Sequence, residues 1–251
     1  MSGARRRQSL PQFSDLSGYI ESWDFTNSAK RWQDLARTTQ AIATGDPVSV
    51  LDPDSDSNRS ALRLTNPNSY NRPLVSAGGI IFDGNDDYFY ASATGLAAET
   101  GGLTIAMRIA LTSTPDLYDG VFSLAPMTGL DYLAGIAHFW DNANSTDHHL
   151  WSAAFAGSIE GESIGPFSFG EFVTIQYFAP PTGGTGNLYI NGSLVSSSIS
   201  TTATFYPDTI GVACRLEPNP TKFPAMQYHK LAIFAGNRAA DVATITAIMG
   251  T

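Results

Sequence analysis

Three carboxylates fall within five residues of this chain: Asp83, Asp86 and Asp87 in "GIIFDGNDDYFY". Oxygen donors set this close could hold a hard cation, share a proton as a catalytic pair, or satisfy the backbone of a tight turn. The flanks favour the turn. Ile81 and Phe82 precede it and Tyr88, Phe89 and Tyr90 follow it, so the sequence predicts two adjacent strands, with Asp83-Gly84 opening a short connection. On that reading the aspartates are structural, with a rim metal contact through Asp86 or Asp87 as the alternative.

Two other segments carry potential ligands. "DPDSDSN" places Asp52, Asp54, Asp56 and Asn58 at alternate positions, as in the first half of a helix-loop-helix calcium loop. The central glycine is missing, and Arg63 stands where the closing bidentate glutamate would be, so the motif fails as that site. "HFWDNANSTDHHLW" is richer. Trp140 and Trp151 flank Asp141, Asn142, Asn144, Asp147, His148 and His149. Oxygen donors beside an aromatic platform suit a sugar ring held next to calcium. Trp140, Asp141, Asn142, Asn144, His148 and Trp151 are therefore the candidate glycan contacts, and Asp141, Asn144 and Asp147 the candidate calcium ligands. The plainer reading is a polar hairpin loop between strands. Adjacent His148 and His149 point to opposite faces of an extended segment and would not chelate one zinc together.

Glycoside hydrolysis by retention needs two carboxylates about 5 Å apart. The six glutamates include none in a Glu-x-Asp-x-x-Glu array; Glu160 and Glu162, in the loop-like "SIEGESIG", are the pair closest to that requirement. No phosphate-cradling glycine loop, Cys-x-x-Cys pair or nucleophile elbow is present. The expectation is a chain that is not an enzyme, with hydrolysis through Glu160 and Glu162 as the remotest alternative.

The elements that would position these groups are mostly strands. Period-two alternation and short apolar runs punctuated by Gly, Pro, Asn and Asp recur through the chain, which predicts an antiparallel sandwich. Asn191-Gly192 in "YINGSLV" marks a tight hairpin. Helical spacing is convincing only near the C-terminus, where Ala239, Val242, Ile245, Ile248 and Met249 share a face between a cap at Asn237 and a stop at Gly250. A second short helix is predicted over Ser28 to Arg37, with Trp32 and Leu35 turned inward.

Composition sets outer bounds. In 251 residues, 43% are hydrophobic and only 15% charged, with a formal net charge of −9. An acidic chain lacks the basic surface that counterion release from nucleic acid requires. The single cysteine, Cys214, allows no internal disulfide and sits among apolar residues as a buried strand thiol. No apolar run approaches the roughly 18 residues of a membrane span, and "MSGARRRQSLPQF" has no apolar stretch after its basic residues. These features predict a protein made in a cytoplasm, contacting neither membrane nor nucleic acid.

The order "GIIFDGNDDYFYAS", "GGLTIAMRIALTS", "GNLYINGSLVSSS" and "HKLAIFAGNRAADVATITAIM" resembles the concanavalin A-like jelly roll of the laminin-G-like type. The upstream "ESWDF…RWQDLARTTQAIATGDPVSVLDPDS…NRPLVSAGGIIFDG" resembles the leader before such modules in structural proteins of tailed bacteriophages. Together they span most of Trp23 to Met249. The resemblance implies an all-β jelly-roll sandwich over residues 13–251 with a short C-terminal helix, preceded by an extended arm over 1–12. It also implies a virion protein made in the host cytoplasm, as a capsid decoration or a tail or fibre component. Its partners would be other capsid or tail proteins, docked by Arg5, Arg6 and Arg7 on acidic groups and by Leu10 and Phe13 as apolar anchors. A trimer would suit a fibre or a three-fold capsid site. The alternative is a calcium-dependent module adhering to host surface glycans; otherwise no cofactor is expected. The fold leaves this choice open, because one sandwich serves many functions.

Overall fold

The computed structural model describes residues 11–55, 62–66, 68, 72–93, 96, 101–113, 119–125, 134–140, 148–153, 163–164, 168–181, 184–200, 209–216, 220–221 and 223–251. In β10, β11 and β12, defined below, the description is of the backbone.

Strands run β1 (Tyr19–Asp24), β2 (Arg31–Trp32), β3 (Val50–Leu51), β4 (Leu64–Thr65), β5 (Leu74–Ser76), β6 (Gly79–Asp83) and β7 (Phe89–Ser92). They continue as β8 (Leu103–Leu111), β9 (Asp119–Ala125), β10 (Ala134–Trp140), β11 (His148–Ala153), β12 (Ser163–Ile164) and β13 (Val173–Ala179). The last are β14 (Thr185–Ile190), β15 (Ser193–Ser200), β16 (Thr209–Val212), β17 (Arg215–Leu216), β18 (Pro220–Thr221) and β19 (Ala225–Ala235), followed by helix α1 (Val242–Met249). Sheet A has the order β15-β14-β13-β8-β19-β6-β5, with β1 also on β19; sheet B has the order β12-β11-β10-β9-β16-β7-β4-β3-β2. Neighbouring strands in both sheets pair antiparallel, as β8 does with β13 and β19. The expected sandwich is what forms.

Alternation explains the layers. One core fills the space between the sheets with Trp23, Phe25, Phe82, Phe89, Ile105, Met107, Phe122, Leu124, Ile175 and Tyr228. Tyr228 of sheet A ties the layers together by donating its hydroxyl to the Val121 carbonyl of sheet B. Strand β8 is buried on both faces, because α1 covers its outer side. Ala106 and Ala232 are small enough to seat that helix, whose Ile245, Ile248 and Met249 meet Phe13 and Phe234 in a second apolar cluster. Phe13 stands edge-on to Phe234 at 6.0 Å, so this residue, expected to anchor the arm on a partner, is buried in the chain's own fold. Residues 1–10, with Arg5, Arg6, Arg7 and Leu10, lie outside the described residues.

Local chemistry agrees with several expectations. Asn191 and Gly192 take positive φ (49° and 83°) at the β14–β15 turn, with Ile190 opposite Ser193. Gly250 ends α1 as expected, but the helix begins only at Val242, with Asp241 at its N-cap position; Asn237, expected as the cap, accepts from the Ala239 amide of a preceding 3₁₀ turn, where Ala239 is exposed. Cys214 is buried just past β16 beside Tyr88 and Phe223, and burial pushes its thiol pKa up.

Two further expectations are corrected. Ser28 to Arg37 is not a helix. Only a 3₁₀ turn over Ser28–Lys30 forms, capped by Asn27, and then Arg31 and Trp32 pair with Leu51 and Val50. Leu35 is 58% exposed, not inward. The aspartate segment is not a hairpin either. β6 pairs with β5 and β19 in sheet A, whereas β7 pairs with β4 and β16 in sheet B. The Asp83–Tyr88 connection is a corner between the sheets.

Candidate functional site

That corner is built by the aspartates themselves. The Asp83 carboxylate accepts from the Asn85 amide at 2.8 Å and from Asn85 Nδ2 at 3.0 Å, while Asp87 Oδ2 accepts from the Asp83 amide at 3.1 Å. Gly84 (φ 85°) passes so close to β19 that a Cβ there would lie 2.9 Å from the Ala225 nitrogen. Stacking of Tyr88 on Phe223 (5.7 Å) and Tyr90 (6.3 Å) forms an aromatic flank.

The result places one carboxylate oxygen each from exposed Asp83, half-exposed Asp86 and buried Asp87 within 4.8 Å of one another. Burial, then the Asp83 charge, pushes the Asp87 carboxyl up to about 7; the same causes raise Asp86. Such a group resists full ionisation unless a cation joins it. Hard oxygen donors at this spacing fit calcium, which takes six to eight oxygens. Asp83 and Asp87 each still have oxygen lone pairs beyond the bonds that close the corner. The residues therefore serve the turn and fit a cation as well.

The register relates this corner to the tryptophan loop. Trp140 lies opposite His148, and His138 opposite Asp119 at the start of β9. Phe122 of β9 meets Val212 at the end of β16, and Val212 meets Phe89 at the start of β7. Trp140, the last residue of β10, thus lies at the same end of sheet B as Phe89, where the aspartate corner enters β7. The sheet order separates β10 from β7 by three strand spacings, about 14 Å. Asp141, Asn142, Asn144 and Asp147 lie outside the described residues, as do Glu160 and Glu162. Trp140 shares its sheet face with His148, whereas Trp151 is opposite Ala137 on the other face.

Of the "DPDSDSN" acids, Asp56 and Asn58 lie outside the described residues. Asp52 is committed to Arg63 Nε at 2.6 Å, Arg37 Nη1 at 3.2 Å and Trp32 Nε1 at 2.8 Å. These donors hold its pKa below the usual carboxylate range even though burial, the largest influence, opposes them. Asp54 turns instead to Ser22 and the Asp24 amide, so the two acids form no shared ligand set. Sequence reading missed the Asp54–Ser22 contact because 32 residues separate the partners.

No family model matches the chain, and no curated protein sequence does. Likeness lies in solved structures. Trypanosoma rangeli sialidase matches with a TM-score of 0.60 at 10% identity, over 95% of this chain and 33% of that one. The same enzyme in complex with sialic acid matches at 0.62, 10% identity and the same coverage. Domain 4 of the GH43 extracellular arabinanase AbnA from Geobacillus stearothermophilus, in complex with arabinotriose, matches at 0.49 and 13% identity, over 92% of this chain and 98% of that one. The chain spans about a third of the length of the sialidases it matches. The sialidase likenesses show the β-sandwich fold. They overturn the expectation that the chain is not an enzyme, since the fold is one that a glycoside hydrolase carries.

Proposed function

We propose that the chain binds carbohydrate, and that it does so at the end of the sandwich shared by the aspartate corner and Trp140, the last residue of β10. The observation that carries this reading is the superposition of 95% of the chain on a sialidase solved with sialic acid. The chemistry of that end supports it: an oxygen-donor triad suited to calcium, a stacked aromatic flank, and Trp140 closing β10. Calcium would fix the acidic corner and offer open positions to sugar hydroxyls, while an aromatic ring covers a sugar C–H face. A glycan array run with calcium and with chelator tests it. Binding is expected with calcium and should fall at least tenfold with chelator, in Trp140→Ala and in Asp87→Asn. An array blank under both conditions overturns the reading.

We also propose a tailed-phage virion as the setting. The motif order from Trp23 to Met249 supports it, and a particle surface is where a glycan-binding sandwich meets a host polysaccharide. Mass spectrometry of purified virions should find the chain; its absence there sinks this placement.

A further inference from the structure

A groove of about 550 Å³ opens on the outer side of sheet A, between the turn at Phe13–Asp15, β1, β19 and the end of α1. It belongs to the half of β19 that β1 covers, whereas the aspartate corner belongs to the half that β6 covers. Ser22, Asp24 and Asp54 line it on one side, and Phe13, Tyr19 and Ile248 supply apolar surface. Its volume is in the range of small-molecule sites.

The polar groups are arranged as a set. Asp54 accepts from Ser22 Oγ at 2.8 Å and from the Asp24 amide at 3.3 Å. Glu21, fully buried beneath, accepts from the Tyr19 hydroxyl at 3.1 Å and from the Ser22 and Ser55 amides at 3.0 and 3.1 Å. All these donors are neutral. Lys230 lies opposite Asp24 across the strands, yet its ammonium donates to the Ile248 carbonyl at 3.1 Å and Thr251 Oγ1 at 3.2 Å. Among the described residues no ion pair reaches Glu21, Asp24 or Asp54. Two carboxylates, Asp24 and Asp54, therefore line a sheltered groove, with Glu21 buried behind them and the one lining cation, Lys230, turned aside.

We propose that this groove binds an amino sugar by its free ammonium, which Asp54 and Asp24 receive, while its ring lies against Phe13 and Ile248. A cationic N–H donor gives charge-assisted bonds that a neutral sugar cannot. The Ser22, Ser55 and Tyr19 hydroxyls, whose protons go to Asp54 and Glu21, can accept from ring hydroxyls. A bare divalent ion would need about six oxygens around it, and the apolar side of the groove offers none. The ligand class rests on the carbohydrate-binding reading, but the site is separate. Burial, with the Asp24 and Glu21 charges, raises Asp54 to about 6, so its charge is present at pH 7.5 and lost below pH 6. The groups facing it are Glu21, Asp24 and Tyr19 on β1 and Lys230 on β19.

Calorimetric titration of the full chain with a fully deacetylated glucosamine tetramer, beside its N-acetylated counterpart, tests the proposal. Binding of the amine form is expected at pH 6.5, where its amines are largely ammonium and Asp54 is largely ionised, and should be at least tenfold weaker for the acetylated form. Asp54→Asn should weaken it tenfold with the thermal melt retained. Should that variant unfold, Ser22→Ala takes its place, with a smaller loss expected. Equal binding of both tetramers, or binding that neither variant changes, overturns the proposal. Failure of both tetramers while other glycans bind the array overturns the groove alone; a blank array as well removes the broader reading too.

Discussion

At neutral pH Asp87 is divided between its charged and neutral forms. An unfolded aspartate titrates near 3.9, whereas folded Asp87 titrates at about 7 because it is buried beside Asp83. The folded state thus holds this proton more tightly. Its contribution to stability is full below about pH 4, falls as the pH rises towards 7, and is flat above that. The gap between the folded and unfolded values corresponds to about 4 kcal/mol; solvent near the corner screens the neighbouring charges, leaving on the order of 1–2 kcal/mol. Asp87→Asn can keep the bond to the Asp83 amide without the charge. It should therefore melt a few degrees above the parent at pH 8 and lose that advantage by pH 4, as followed by thermal denaturation. Millimolar calcium should raise the parent's melting temperature at pH 8 and leave the variant's unchanged. A parent and variant with the same pH dependence would remove the electrostatic account.

Elements show which parts of this molecule can be read locally. The Asn191-Gly192 turn is legible because positive φ is a property of two residues, and the α1 face because its spacing is internal to ten residues. The aspartate corner is not legible in that way. Two apolar runs around a short polar stretch look the same whether the strands pair with each other or cross to opposite sheets. Here the choice is made by partners far along the chain, Met226 opposite Phe82 and Val212 opposite Phe89. Similarly, the Trp32–Leu35 spacing imitates a helix, but Val50 and Leu51 capture Arg31 and Trp32 into a sheet. The candidate site divides along the same line. The three adjacent aspartates are visible in sequence, while Ser22, Asp24 and Asp54 become one groove only when β1 and the segment after β3 meet.

At the scale of the whole molecule, the leader before β5 is part of the sandwich and not an appendage to it. Trp23 and Phe25 have no exposed surface. Trp23 donates its indole N–H to the Leu62 carbonyl at 3.1 Å, and Phe25 stacks on Tyr228 at 5.1 Å. Tyr228 is the residue that hydrogen-bonds across to sheet B, so the leader supports the tie between layers. Losing one buried aromatic side chain costs about 3–5 kcal/mol, a large part of the roughly 5–15 kcal/mol that keeps a domain folded. Removing residues 1–65 would strip both aromatics together with Val48, Leu51, Leu62 and Leu64 from the core. That truncation should lose its near-ultraviolet circular dichroism and show no cooperative calorimetric transition. Removal of residues 1–10 should leave one transition close to the parent's, because Phe13, the first residue of the second apolar cluster, is retained. A 66–251 chain that melts cooperatively near the parent temperature would mean that the sandwich closes without its leader.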